Sequence, residues 1–562
     1  MELDQRKRDR LLSRGEVENL IAEGNLIVIY HDKALRLNNW IARHPGGDKA
    51  VLHMVGRDAS DEMDVYHSDE TLSRLGVFQV GTIKQPWINF TPPIQGGYFR
   101  KSCEQQVDEG VSMLSDVETG STLGPEEPGT PLDPEKKVIH DYDQARVRED
   151  LEKYPPLDLA TQEKIRDEFR TLHHELRERG FFQCNYWGYV REFSRISFLF
   201  YMSSVLFKWR DQSQWWLFLS AVLLGLGWHQ LVFIAHDAGH MAITHDYHID
   251  NIFGVLVADF IGGLSIGWWK RNHNVHHFVT NDPEHDPDIQ HLPFFAVSTR
   301  LLGSLRSTYY DRVLKYDAFA KVLLRIQHYT YYPILCFGRF NLYRLSWEYT
   351  LLGQGPRRGK AAYLRYLELA GLAFFQYWYF YLVVACALKT ARERWMFVMV
   401  SHIVTMPVHV QITLSHFAMS TSNLGMAESF AQRQLRTTMD VDCPAWFDYV
   451  HGGLQFQVIH HLFPRMPRHN FRAAQKEIIK FADKVGLEYC IYGFTKGNRL
   501  VISRLGDIAQ QVRILAQANK VCKQEMIEEF YGDGGVETAD SKATDDDGVL
   551  INAVTGQPVK QQ

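Results

Sequence analysis

WWKRNHNVHHFVTN, residues 268–281, carries His273, His276 and His277 at the i, i+3, i+4 spacing that puts all three on one helical face. Two further groups repeat the pattern. HDAGH supplies His236 and His240, and QVIHH supplies Gln457, His460 and His461. Each group borders an apolar stretch, where polar side chains are costly to bury and are kept mainly for function. One histidine in such a place reads as a hydrogen-bonded structural residue. Seven in three helical groups read as ligands.

Ligand type narrows the chemistry. The seven cysteines are dispersed, which excludes a thiolate metal site and a disulfide frame. Imidazole suits iron, zinc or copper. A single zinc ion with an open position uses about three protein ligands. The set is too large for that, and two iron ions would use it fully.

Around these groups the chain alternates apolar and polar blocks. At 562 residues it is expected to form more than one unit, and a net charge of −5 argues against nucleic acid as a partner. Segments 215–235, 366–388 and 395–414 have about the 20 residues needed to cross a bilayer, and 193–207 reads as a shorter first span. Segments 252–269 and 329–337 read as re-entrant or interfacial. Two hairpins of spans put both termini and the Lys- and Arg-rich 236–365 segment in the cytosol. The N-terminal MELDQRKRDR shows no cleavable secretory signal.

The N-terminal block, residues 10–90, has its own chemistry. HPGG at 44–47 is followed 23 residues later by His67. Two neutral imidazoles, His44 and His67, on opposite walls of a pocket lined by Leu52, Val55, Met63 and Tyr66 would hold haem b from both faces. Iron closed in this way passes electrons and does not bind oxygen. Asp61, Glu62, Asp64, Asp69 and Glu70 are expected to steer a basic redox partner. Residues 99–150 are polar and read as a flexible linker on which the haem unit swings. Residues 151–190 form an amphipathic pre-membrane helix with His173 and His174 in solvent. Residues 191–505 form the membrane domain, and 506–562 a C-terminal helix with a disordered acidic tail.

These motifs resemble known families. NNWIARHPGGDKAVLHMVGRDASDEMDVYHS, residues 38–68, is similar to the cytochrome b5 signature. The ordered HxxxH, HxxHH and QxxHH boxes resemble the membrane fatty-acid desaturase superfamily. The glutamine-led third box behind a cytochrome b5 domain resembles its front-end members, and the fuller pattern is most similar to fungal delta-8 sphingolipid desaturases. The usual third box reads QIEHH, and Val458 and Ile459 depart from it here.

The resemblance implies a multidomain chain: a small α+β cytochrome b5-like domain, then an all-α membrane domain with about four transmembrane helices and a cytosolic helical cap. It implies two non-haem irons on His236, His240, His273, His276, His277, Gln457, His460 and His461, and one more ligand from the last span. His416 is the candidate there, with His409 and His402 on the same stripe. Asp237, Asp286 and Asp288 are the nearest carboxylates to orient the imidazoles, or they cap helices.

The implied reaction is O2-dependent removal of two hydrogens from a ceramide or long-chain base in the endoplasmic reticulum membrane. Electrons would come from NADH through NADH–cytochrome b5 reductase and the haem, with haem domain and boxes on the cytosolic side. Delta-5 or delta-6 acyl desaturation, lipid hydroxylation and plain electron carriage stay open at this point.

Overall fold

The structure, a computed structural model, describes residues 8–99, 134–356, 358–359, 361–531, 542–544 and 550–552. The N-terminal unit is a four-stranded sheet in the order Leu11–Leu12, Gln79–Ile83, Lys33–Arg36, Ile27–Tyr30. Four short helices pack on it: Arg14–Ala22, Asp48–Leu52, Ser60–Tyr66 and Asp69–Ser73. The first starts on a capping box, Ser13 Oγ accepting from the Glu16 amide while the Glu16 carboxylate accepts from the Ser13 amide. Ile27 to Tyr30 are buried throughout, because helices cover both faces of their strand.

Three helices behind it are long and apolar enough to cross a membrane: Gln214–Gly239, Leu364–Ala387 and Ala391–Phe417. Trp209, Trp215 and Trp395 are exposed near one end of this bundle, as aromatic residues are at a bilayer boundary. The expected first span, 193–207, lies in Tyr186–Lys208, which packs as a hairpin on Gln214–Gly239. It carries Arg191, Glu192, Arg195 and Lys208 and does not join the three.

A fourth apolar passage is folded back on itself. Tyr247–Ile261 and Ile266–Phe278 meet at a bend of 115°, the geometry of a broken span or a re-entrant loop. Gly263 makes the bend, at φ 72°, where a Cβ would come within 2.3 Å of Phe375. Asp259 and Glu368 carboxylates accept the Ile266 and Gly267 amides, so two buried acids cap the helix that carries the central histidine box.

Outside the bundle, Leu159–Glu178 lays Ile165, Phe169, Leu172 and Leu176 against Phe463, Phe471 and Ile478 of the C-terminal cap. His173 lies on this buried face between Phe182 and Phe463, and burial lowers its pKa to about 4. It is not a solvated histidine, although its exposed neighbour His174 is. Residues 134–150 of the expected linker form the helix Pro134–Lys153, and the linker's 100–133 lie outside the described residues. The C-terminal helix begins at Phe494 and runs to Tyr531. In the tail, Lys542–Thr544 pairs antiparallel with Leu550–Asn552, contrary to the reading of disorder there; the remainder lies outside the described residues.

Candidate active site

Each histidine box ends up where an apolar helix meets the cap. His236 and His240 close the span Gln214–Gly239, and His416 closes the span Ala391–Phe417. His273, His276 and His277 follow from the folded-back helix, while His460 and His461 lie in the short helix Gln457–Leu462. Gln457 opens that helix and is buried.

The histidine nitrogens form two all-histidine groups, and Asp288 converges with His273 and His276 as a third set linking them. His236, His240, His273 and His460 each offer a nitrogen, and these converge within 4.8 Å; His276, His416 and His461 form a second group under the same limit. His277 sits between the groups. Its Nε2 is 3.0 Å from His273 Nε2, and its ring stacks on His461 at 4.1 Å. His236 Nε2, His240 Nε2, His461 Nε2 and His277 Nδ1 are buried without a hydrogen-bond partner. Buried polar atoms are seldom left so, and neutral imidazole nitrogens facing one another fit a shared cation. Burial and the neighbouring imidazoles hold His460 and His461 well below the ordinary histidine pKa, in the neutral form a metal takes.

Surrounding groups aim these rings. Asp286 Oδ2 lies 2.8 Å from His276 Nδ1, Asp288 Oδ2 lies 3.6 Å from His273 Nδ1, and Asp237 Oδ1 lies 3.7 Å from His236 Nδ1. Despite its burial, Asp288 is held below the ordinary carboxylate range by His276 and His273. Asp237 also pairs with Arg468 and accepts from the Tyr189 hydroxyl. Gln434 Oε1 is 3.0 Å from His461 Nδ1, and its Nε2 donates to the His277 carbonyl at 2.7 Å. Asp440 accepts the Val458 amide at 2.9 Å and fixes the third box. Gln434 and Asp440 bound QLRTTMD, a polar run in which nothing periodic marks either one.

His409 and His402 stay outside both groups. His402 stacks on Phe340 at 4.6 Å with Nε2 3.1 Å from the Tyr343 hydroxyl, and His409 packs on Gly338. Trp269 stacks on His273 at 4.6 Å and also meets His236 and His240, walling the first group with an indole.

In the N-terminal unit the His44 and His67 rings face each other with centroids 6.3 Å apart. Metal–imidazole bonds of about 2 Å, plus about 1.1 Å from nitrogen to ring centre, call for about 6.2 Å. His44 Nδ1 bonds the Gly47 carbonyl at 2.7 Å and His67 Nδ1 the Met63 carbonyl at 3.0 Å, so both Nε2 lone pairs remain for iron. Val28, Leu35, Val51, Met54 and Leu75 form the apolar core beside them. Gly46 must lack a Cβ, which would come within 2.9 Å of Asn274 Nδ2 and 3.0 Å of His44. This pair fits a haem.

The residues of this chain match two families. The fatty acid desaturase family matches residues 213–493, and the cytochrome b5-like heme/steroid binding domain matches residues 13–91. A delta 8-(E)-sphingolipid desaturase of Kluyveromyces lactis is 54% identical over 93% of this chain and 97% of its own length. The chain belongs to the fatty acid desaturase family. The desaturase is also 49% identical to the delta 8-(E)-sphingolipid desaturase of Candida albicans, over 92% of this chain and 99% of that one. An acyl-lipid (9-3)-desaturase of Borago officinalis is 30% identical, over 90% and 94%. The desaturase is therefore a membrane oxidoreductase whose cytochrome b5 domain implies haem and whose family implies iron.

Part of the acidic face expected to steer a partner is taken up within the chain: Asp61 and Glu62 are buried, while Asp69 stays exposed beside its own ion pair. Asp61 bonds Arg170 Nε at 2.7 Å, Asp69 pairs with Arg177, and Glu62 lies 3.9 Å from Arg57. Asp64 accepts from Tyr30 at 2.8 Å. Arg170 and Arg177 belong to the pre-membrane helix of the same chain, and their pairing over more than 100 residues leaves no trace in local composition. Glu70, paired with Arg74 within its own unit, stays exposed.

Proposed function

We propose that this desaturase introduces a delta-8 (E) double bond into the long-chain base of a ceramide or related sphingolipid. The convergence of the boxes into two histidine groups at the inner ends of apolar spans carries the reading. Sphingolipid relatives at 49–54% identity, against an acyl-lipid relative at 30%, favour the substrate. His236, His240, His273 and His460 would hold one iron, and His276, His416 and His461 the other, with His277 between them and Gln457, which opens the third box, as a further ligand. His44 and His67 would hold the haem.

Bound there, the metals would supply the oxidising chemistry: O2 takes two electrons and two protons along with two hydrogens from adjacent methylenes, and leaves as two waters. The electrons would come from NADH through a cytochrome b5 reductase. The chain's own part is positional. Asp286, Asp288, Asp237 and Gln434 fix ring orientation, and the apolar spans with Trp269 keep bulk water from the site. The Lys- and Arg-rich 236–365 segment supports a cytosolic face on an endoplasmic reticulum membrane.

Lipid mass spectrometry tests this in a yeast host that makes no delta-8 unsaturated long-chain bases. Loss of two hydrogens from the long-chain base, with the double bond at carbon 8, is expected. New double bonds confined to fatty acyl chains would overturn the sphingolipid assignment, and an added oxygen would overturn desaturation.

A further inference from the structure

The haem unit is docked on the desaturase domain through a set of specific contacts. Lys49 Nζ donates to the Thr308 carbonyl at 2.9 Å and pairs with Asp311 at 2.8 Å. Arg271 donates to Asp48 at 3.1 Å, Asn274 Nδ2 to the Gly46 carbonyl at 3.2 Å, and Asn89 Nδ2 to the Met426 carbonyl at 3.0 Å. Arg170 and Arg177 close the opposite side on Asp61 and Asp69.

At the centre of this interface one haem-side ring reaches the histidine cluster. Tyr66, next in sequence to His67, meets His277 edge-on at 5.9 Å and Phe278 at 4.8 Å. Phe278 is at the same time packed against the core of the haem unit. The Tyr66 hydroxyl and His277 Nδ1 are both buried without a hydrogen-bond partner. His277 in turn touches both histidine groups, through His273 and His461. The other haem-side residue, His44, reaches the same helix through Gly46 and Asn274, which is not a member of the cluster.

We propose that the haem unit hands over its electrons in this docked arrangement, with Tyr66 as the positioning residue that carries contact from His67 to His277. The proposal rests on the diiron reading above. In each transfer one electron leaves a ferrous haem, which becomes ferric, and one ferric ion of the histidine cluster becomes ferrous. No bond or proton at Tyr66 changes. Two transfers, with the haem re-reduced between them by the flavin-type reductase that NADH feeds, supply the two electrons of one double bond. A swinging haem unit is then needed for re-reduction at most, not for delivery.

Laser-flash reduction of the haem in the full-length, iron-loaded, anaerobic enzyme tests this, read as the decay of the reduced-haem absorbance. Tyr66→Leu is expected to slow that decay by about tenfold or more, while Tyr66→Phe, which keeps the ring, stays within about twofold. Haem absorbance and reduction potential should match the unmodified chain in both. Lys49→Glu, whose partners all lie in the desaturase domain, should slow the decay by loosening the dock, and it decides the matter even if Tyr66→Leu loses haem. Unchanged decay in Tyr66→Leu and Lys49→Glu would overturn the proposal, as would slowing confined to Asn274→Ala. No transfer in the unmodified chain would instead overturn the diiron reading beneath it.

Discussion

Asp286 Oδ2 lies 2.8 Å from His276 Nδ1 and also accepts the Asn281 amide at 2.7 Å, while Oδ1 accepts the Asp288 amide at 2.8 Å. One carboxylate thus both caps a turn and aims a ring of the second histidine group. Removing such a partner typically costs about 10–100-fold in metal affinity or activity. Asp286→Ala should lower iron content and product together while the haem spectrum stays intact. Iron analysis beside lipid mass spectrometry checks this, and unchanged values of both would leave Asp286 a capping residue only.

The two redox centres should separate cleanly by mutation. His460→Ala should abolish product and leave haem absorbance unchanged. His67→Ala should lose haem absorbance and product together, and product formed by that variant would refute electron delivery through the haem unit.

Arg468 is buried between Asp237 and Glu192, with its guanidinium also donating to the Phe233 carbonyl at 2.7 Å. Breaking a buried pair on one side leaves the other charge unpaired, at a cost of about 3–5 kcal/mol. Arg468→Gln should lower the thermal unfolding midpoint accordingly. Arg468→Gln combined with Asp237→Asn should cost less than the two single losses added, since both remove one interaction. Additive losses would show the pair to be uncoupled.

Burial raises the Asp440 pKa from 3.8 to about 7, against the opposing hydrogen bonds from Tyr489, Val458 and Gln475. A carboxyl raised in the folded state binds its proton more tightly there, so its contribution is full below the unfolded value and is lost as pH rises through about 7. The contribution of Asp440 to the unfolding free energy should therefore fall from pH 4 to pH 7, by up to about 1.4 kcal/mol per pH unit. Asp440→Asn should flatten that slope, and an identical slope in the variant would discount Asp440.

Local spacing makes the histidine boxes legible, because i, i+3 and i+4 positions share a helical face whatever the helix packs on. The HPGG–His67 pair and the long apolar runs are legible for the same kind of reason: each is a property of a short stretch. His416 was reachable only through the family resemblance, which implies one further ligand on the last span. Gln434, Asp440 and Arg468 were not, since each acts on a histidine box or its supporting carboxylate from far along the chain.

By itself, then, the sequence determined the histidine boxes, three of the four spans it marked and the two-unit plan. Only the tertiary structure decided how the histidines group. His273 joins His236, His240 and His460, whereas His276, three residues on, joins His416 and His461. It also decided that the acidic haem face meets Arg170 and Arg177 of its own chain, and that Tyr66 touches His277. Periodicity fixes which way a side chain points from its own helix, but the partner it meets depends on how distant segments pack, and that is set by burial across the whole fold.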